Sequence, residues 1–220
     1  MTSERSRPHH DAPRNPTVLR NKLRLDDPQL LAVVEAQVSA MRIAEIANES
    51  FSGVFDFTHY CDVHSRIFGD LYDWAGLPPA ADGELVDPAR DVVKVLQDDL
   101  SSPSIDYRRI VGRSVRDSAE YLFGYLQAEG CLVDLSPQGF SSRLAAYWCT
   151  LSSLPIFHRG NAQTETVFFA QLCRNAGYRL NMRELYARRA EVGDARVNAV
   201  STRARYAMFS AIVDAVIEVA

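Results

Sequence analysis

Apolar side chains recur at helical spacing in one segment after another. Asp26-Asp27-Pro28 sets an acidic cap and a first-turn proline ahead of a helix expected to bury Leu31, Val34, Val38, Met41 and Ile43 or Ala44. It should end by residues 48–53. Asp56 caps a second helix through His59, Val63, His64, Ile67 and Phe68, stopped by Gly69-Asp70. Asp87-Pro88 opens a modest helix reaching Leu100, and residues 111–128 form an amphipathic one with Val115, Ala119, Leu122, Phe123 and Leu126 on one side. Ser136-Pro137 caps a helix over 138–153 whose stripe is Phe140, Leu144, Tyr147, Trp148 and Leu151. A central helix over 162–176 carries Val167, Phe168 and Leu172, and Asn181 with Glu184 forms a capping box for the next. Residues 195–219 read as one helix with Ala204, Met208, Ala211, Ile212, Ala215 and Val216 in line, expected to dock on its own domain in preference to a second copy. The pattern predicts an all-α fold of seven to eight helices, with residues 1–16 a polar flexible tail and 17–220 a single domain.

Charge and composition remove several functions. The 220 residues carry a formal charge of −4 and are 47 % hydrophobic, which suits one sizeable core and gives no electrostatic footprint for nucleic acid. No stretch is long and apolar enough for a membrane span or a signal-peptide core, so a soluble cytoplasmic protein is expected. Cys61, Cys131, Cys149 and Cys173 stand apart without metal-ligand spacing and read as reduced thiols. His59 and His64 lie five apart, off a common helical face, and read as capped or packed residues, not a metal pair.

The chemistry, if any, concentrates in the loop Phe157-His158-Arg159-Gly160-Asn161 between two apolar helices. A glycine followed at once by a helix leaves the first backbone amides open, which suits an oxyanion. Candidate ligand-binding residues are therefore Phe157, Arg159, Gly160, Ala162, Gln163 and Asn161, the last read as the helix cap. His158 is the candidate catalytic residue.

Phe157, Gly160 and Asn161 in this spacing resemble the loop of the Fic family, also called Fido, which reads His-Pro-Phe-x-(Asp/Glu)-Gly-Asn-(Gly/Lys)-Arg-x-x-Arg. The resemblance extends to Asn21-Lys22-Leu23 with Asp27-Pro28, to the run from Phe55-Asp56-Phe57 through Asp70-Leu71-Tyr72-Asp73-Trp74-Ala75-Gly76, and to Ala176-Gly177-Tyr178 with Leu180-Asn181. It implies a Fic-type helical fold and, for most members, transfer of AMP from ATP to a protein hydroxyl. In that reaction a histidine takes the hydroxyl proton, an acid holds Mg²⁺, the Gly-Asn turn stabilises the α-phosphate and two arginines hold the outer phosphates. Counted from Gly160, these four side chains fall on Pro155, Arg159, Gln163 and Thr166. Pro155 has no side-chain proton acceptor. Arg159 brings positive charge where a metal needs a carboxylate. Gln163 and Thr166 supply no charge, and losing two charge-assisted bonds weakens ATP binding by about one to three powers of ten. The prolines Pro78-Pro79 also argue against the family's target-binding hairpin, so that flap is expected to be weak or absent.

Three readings are open. The first is a degenerate Fic-fold pseudoenzyme that binds a protein partner or a small anionic ligand at the Gly160-Asn161 loop, with no cofactor. The second is an AMP-transferase using ATP and Mg²⁺ with His158 recruited as base, its ring otherwise lying at the loop rim against Tyr147 or Phe157. The third is an enzyme for a small organic substrate, using a dry pocket of Ile156, Phe157, Tyr147 and Trp148. A homodimer is compatible with any of them.

Overall fold

A computed structural model describes residues 18–78, 114–197 and 202–219. The tail over 1–16, the Pro79 half of the proline pair with the rest of the expected flap, and the expected helix over 88–100 lie outside the described residues.

The chain forms α1 (Pro28–Ala47), α2 (Phe57–Phe68), α3 (Val115–Ala128), α4 (Pro137–Leu151), α5 (Asn161–Asn175), β1 (Tyr178–Leu180), α6 (Met182–Ala187), α7 (Arg189–Val197), α8 (Thr202–Val216) and β2 (Ile217–Val219). The fold is the all-α type, with eight α-helices and one small antiparallel sheet among the described residues, in which Tyr178 faces Val219 and Leu180 faces Ile217. Local signals start the helices. Asp27 accepts from the amides of Gln29 and Leu30, Asp56 from that of His59, and Ser136 from that of Gly139. Each satisfies an amide that the helix itself cannot. At α6 only half of the capping box forms. Asn181 accepts from the Glu184 amide, but the Glu184 carboxylate turns to Arg188 and the Asn181 amide donates to Val216.

Among the described residues two clusters of apolar side chains make the core. The larger joins α3, α4, α5 and α8, and includes Leu122, Phe140, Leu144, Trp148, Phe168 and Phe209. From Arg143 to Leu151 every residue of α4 is buried, so this helix is enclosed on all sides. The smaller cluster, Ile46, Val63, Ile67, Phe68, Leu71, Tyr72 and Val167, joins α1 and α2 to α5. The loop between α4 and α5 touches both.

Two apolar stripes differ from expectation. On α1 the buried residues are Leu31, Glu35, Ser39 and Ile46, while Met41 and Ala44 are exposed. The core face is turned toward Glu35 because that carboxylate bonds Tyr72 and Arg159 across the fold. The C-terminal segment is not one helix over 195–219. α7 ends at Val197, α8 runs over Thr202–Val216, and the chain then enters β2. The buried positions of α8 are Phe209, Ile212, Val213 and Val216, so a shifted stripe packs on the chain's own core.

Candidate functional site

The loop is fixed from inside. Gly160 adopts φ +83° and serves as the N-cap of α5. A Cβ built there would lie 2.2 Å from Cε2 of Phe68, so the α2 ring occupies the space that any other residue needs. Asn161 is thus the first helical residue and not the cap. Its side chain turns back, accepting from the Phe157 amide at 3.0 Å and donating to the Phe157 carbonyl at 2.8 Å. Both polar atoms of Asn161 are spent on closing the loop. Thr164 closes it further, donating from its hydroxyl to the Gly160 carbonyl at 2.9 Å.

Phe157 is buried, with the His64 ring stacked at 3.7 Å and Tyr60 stacked at 5.7 Å. His64 is a second brace. The Gly76 amide donates to its Nδ1 at 2.8 Å, so the proton resides on Nε2, which donates to the Arg159 carbonyl at 2.9 Å. Burial pushes the His64 pKa down to about 4, against the opposing effect of the Arg159 bond. The imidazole is therefore neutral at pH 7. His59 packs instead on Phe51 at 3.6 Å and bonds Gln171 at 2.8 Å.

Beneath the loop lies an ion pair. Nε of Arg159 donates to Oε1 of Glu35 at 2.6 Å, and the Tyr72 hydroxyl donates to the other oxygen of the same buried carboxylate. Burial and then the neighbouring Glu35 hold the Tyr72 phenol well above its ordinary range. The Arg159 side chain is about half exposed, at 50 %, so one end of its guanidinium faces water.

The helices flanking the loop are tied by a second buried acid. Glu165 in α5 is fully buried, accepts from the Ser152 hydroxyl at the end of α4 at 2.7 Å, and is paired with Arg196 of α7. Arg196 also donates to the Ser152 oxygen at 2.9 Å. Burial pushes the Glu165 carboxyl up, and Arg196 pulls it back.

The remaining candidates face outward or are already engaged. His158 is exposed and meets Trp74 edge-on, with centroids 5.6 Å apart, and not Tyr147 or Phe157. Pro155 and Ala162 are exposed and Gln163 is half-buried. The Thr166 hydroxyl donates to the Ala162 carbonyl at 2.9 Å within its own helix. Ile156, Phe157, Tyr147 and Trp148 do not line a solvent-facing pocket: each is at most 2 % exposed, the Tyr147 hydroxyl donates to Glu129, and Trp148 packs on Phe169. Among the described residues no three His, Cys, Asp or Glu side chains gather at a metal site.

This arrangement of a glycine-capped helix, a folded-back asparagine and a buried phenylalanine can be set beside known proteins. No protein-family model matches the chain. A probable protein adenylyltransferase Fic of Salmonella typhimurium is 30 % identical over 164 residues, covering 74 % of this chain and 72 % of that protein. The chain belongs to the Fic family. Protein adenylyltransferase VbhT of Bartonella schoenbuchensis is 32 % identical over 164 residues, again 74 % of this chain but 30 % of that longer protein. The fold agrees with solved Fic structures. The N-terminal Fic domain of a putative cell filamentation protein from Bartonella quintana, with bound ADP, superimposes with a TM-score of 0.74 at 19 % identity, covering 94 % of this chain and 93 % of that one. The BepC protein of Bartonella tribocorum, with bound AMPPNP, gives 0.70 at 17 % identity, covering 93 % and 94 %.

Within the Fic fold the chain keeps the shape-giving residues of the loop, Phe157, Gly160 and Asn161, all of which make internal contacts. Sequence reasoning missed what holds them. Glu35 and Tyr72 are 124 and 87 residues from Arg159 in sequence, counted from the numbering. The one available signal was an acid, Glu35, standing on the apolar stripe of α1. His64 was read as packed, but its two hydrogen bonds to the backbone on either side of it had no sequence signature. Nor did the Glu165–Arg196 pair.

Proposed function

We propose that this Fic domain does not transfer AMP and acts by binding a protein partner or a small anionic ligand at the loop over residues 157–163. The observation that supports this most is the state of Arg159. A guanidinium paired with Glu35 stands where the family's reaction requires a metal-binding acid, and its free end faces solvent beside the exposed His158. That geometry favours an incoming oxyanion or a partner's carboxylate over a divalent cation. Pro155 adds to it, since it offers no proton acceptor to a target hydroxyl. Residues fit for Mg²⁺ are missing from the loop, and no step through a metal is assigned. Among the described residues no helix is long and apolar enough to cross a membrane. A cytoplasmic location is part of the proposal.

The relatives are named as adenylyltransferases, and this keeps a second reading in view. There His158, exposed at the rim, would serve as the base for transfer of AMP. The test is incubation with ATP labelled at the α-phosphate, with Mg²⁺, alone and with a bacterial lysate. The proposal expects no covalent label on any protein. Label that persists in Arg159→Ala and disappears in His158→Ala would overturn it in favour of transfer.

A further inference from the structure

A groove opens on the opposite half of α5 from the loop. Its floor is Val167 and Ala170 of α5 with Leu180 of β1, and its wall is Ile43 and Ala47 near the end of α1. Met182, at the start of α6 and 44 % exposed, forms the rim. The groove is open to solvent along one side. It begins at Val167, about 9 Å along α5 from Asn161 at 1.5 Å per residue, and ends at Arg174, about 20 Å along it. The groove is therefore separate from the loop, and its occupant is independent of the function proposed for the loop.

Charge selects the occupant. Two arginines, Arg174 and Arg179, stand over this apolar floor in a chain whose net charge is −4. Arg174 meets no carboxylate among the described residues, its one bond being a long contact of 3.5 Å to the Ala47 carbonyl. Arg179 is paired with Glu218, which also accepts from the neutral Asn181 side-chain amide. An apolar floor edged by the unpaired Arg174 guanidinium matches an apolar side chain with a carboxylate beside it. A neutral hydrocarbon would leave Arg174 unanswered, and a simple anion would leave the floor uncovered.

We infer that this groove docks a segment of a protein partner that presents one large apolar side chain with Asp or Glu within a turn of it. The apolar anchor covers Val167, Ala170 and Leu180, and a carboxylate meets Arg174. Arg174 supplies direction, because it fixes which side of the anchor carries the acid.

A displayed library of random 12-residue peptides, selected on the purified full chain, tests this. The expected outcome is enrichment of sequences with Leu, Ile, Phe or Trp flanked by Asp or Glu. A synthetic peptide of the enriched sequence should shift the methyl resonances of Ile43, Val167, Leu180 and Met182, and bind more weakly as salt is raised. Arg174→Glu should weaken it about fivefold or more. Ala170→Glu, which puts charge on the floor, should abolish binding; Arg174→Gln, a milder surface change, keeps the test valid if that variant fails to fold. Enriched peptides without acids, peptides that shift the loop resonances instead, or no enrichment over Arg174→Glu would each overturn the inference. So would concentration-dependent self-association lost in Arg174→Glu, which would make the occupant a second copy of this chain.

Discussion

Gly160→Ala should destabilise the domain by about 2–5 kcal/mol, and the structure says how that loss divides. Alanine at φ +83° meets the left-handed penalty of an L residue, about 1–2 kcal/mol. Its Cβ would also sit 2.2 Å from the Phe68 ring, which is itself 1 % exposed and cannot swing into solvent. Forcing a methyl into a packed site typically costs about 1–3 kcal/mol. The two parts separate in a double-mutant cycle with Phe68→Leu, which removes the ring atoms facing Gly160. The conformational part should remain in the double variant, and the steric part should reappear as a coupling of about 1–3 kcal/mol between the sites. Urea unfolding of the four proteins, followed by circular dichroism, provides the free energies. If Gly160→Ala lost less than about 0.5 kcal/mol, or if Phe68→Leu left its effect unchanged, Gly160 would not be a packing requirement. The glycine would then have to be explained by what approaches the loop from outside.

Two further expectations concern the charged groups around the loop. His64 has a folded pKa of about 4 against an ordinary 6.5, so the unfolded chain takes up a proton before the folded one does. Its contribution is fully present above pH 6.5 and is lost as pH falls toward 4, by about 3 kcal/mol in all. Urea titrations at steps from pH 7.5 to 4 should show this slope in the wild type, and subtracting those of His64→Gln should isolate it; identical slopes would refute the assignment. Arg159→Ala should cost only about 1 kcal/mol, since water can reach Glu35 from the exposed side of the removed side chain, whereas Arg159→Glu sets two carboxylates face to face and should cost about 2 kcal/mol or more. Equal thermal shifts for the two variants would show that Glu35 does not sense the charge at position 159.

The legible parts of the fold were those whose cause is local. Asp27, Asp56 and Ser136 mark helix starts because a cap contacts amides two or three residues ahead, and the structure has those bonds. The family was legible from the loop and from the run ending in Asp73-Trp74-Ala75-Gly76. What failed depends on distant partners. Met41 reads as apolar and belongs to the helical pattern, but the core takes Glu35 and Ser39 instead, because Tyr72 and Arg159 wait beside that face. The three-residue strands are too short to show alternation, and Leu180 and Ile217 pair only because α8 returns the chain beside β1. At the site, residue types showed which charges the loop carries but not where they point. Asn161 has the composition of a cap, yet it folds back on Phe157 because Gly160 already takes the capping position.

The most direct measurement is a calorimetric titration of the purified chain with ATP, with and without Mg²⁺. No saturable heat is expected up to millimolar ATP and no effect of the metal, because Arg159, Gln163 and Thr166 provide neither the carboxylate nor the paired cations of a triphosphate site. Binding tighter than about 100 μM, roughly −5.5 kcal/mol, and strengthened by Mg²⁺, would contradict that expectation and assign the loop to a nucleotide after all.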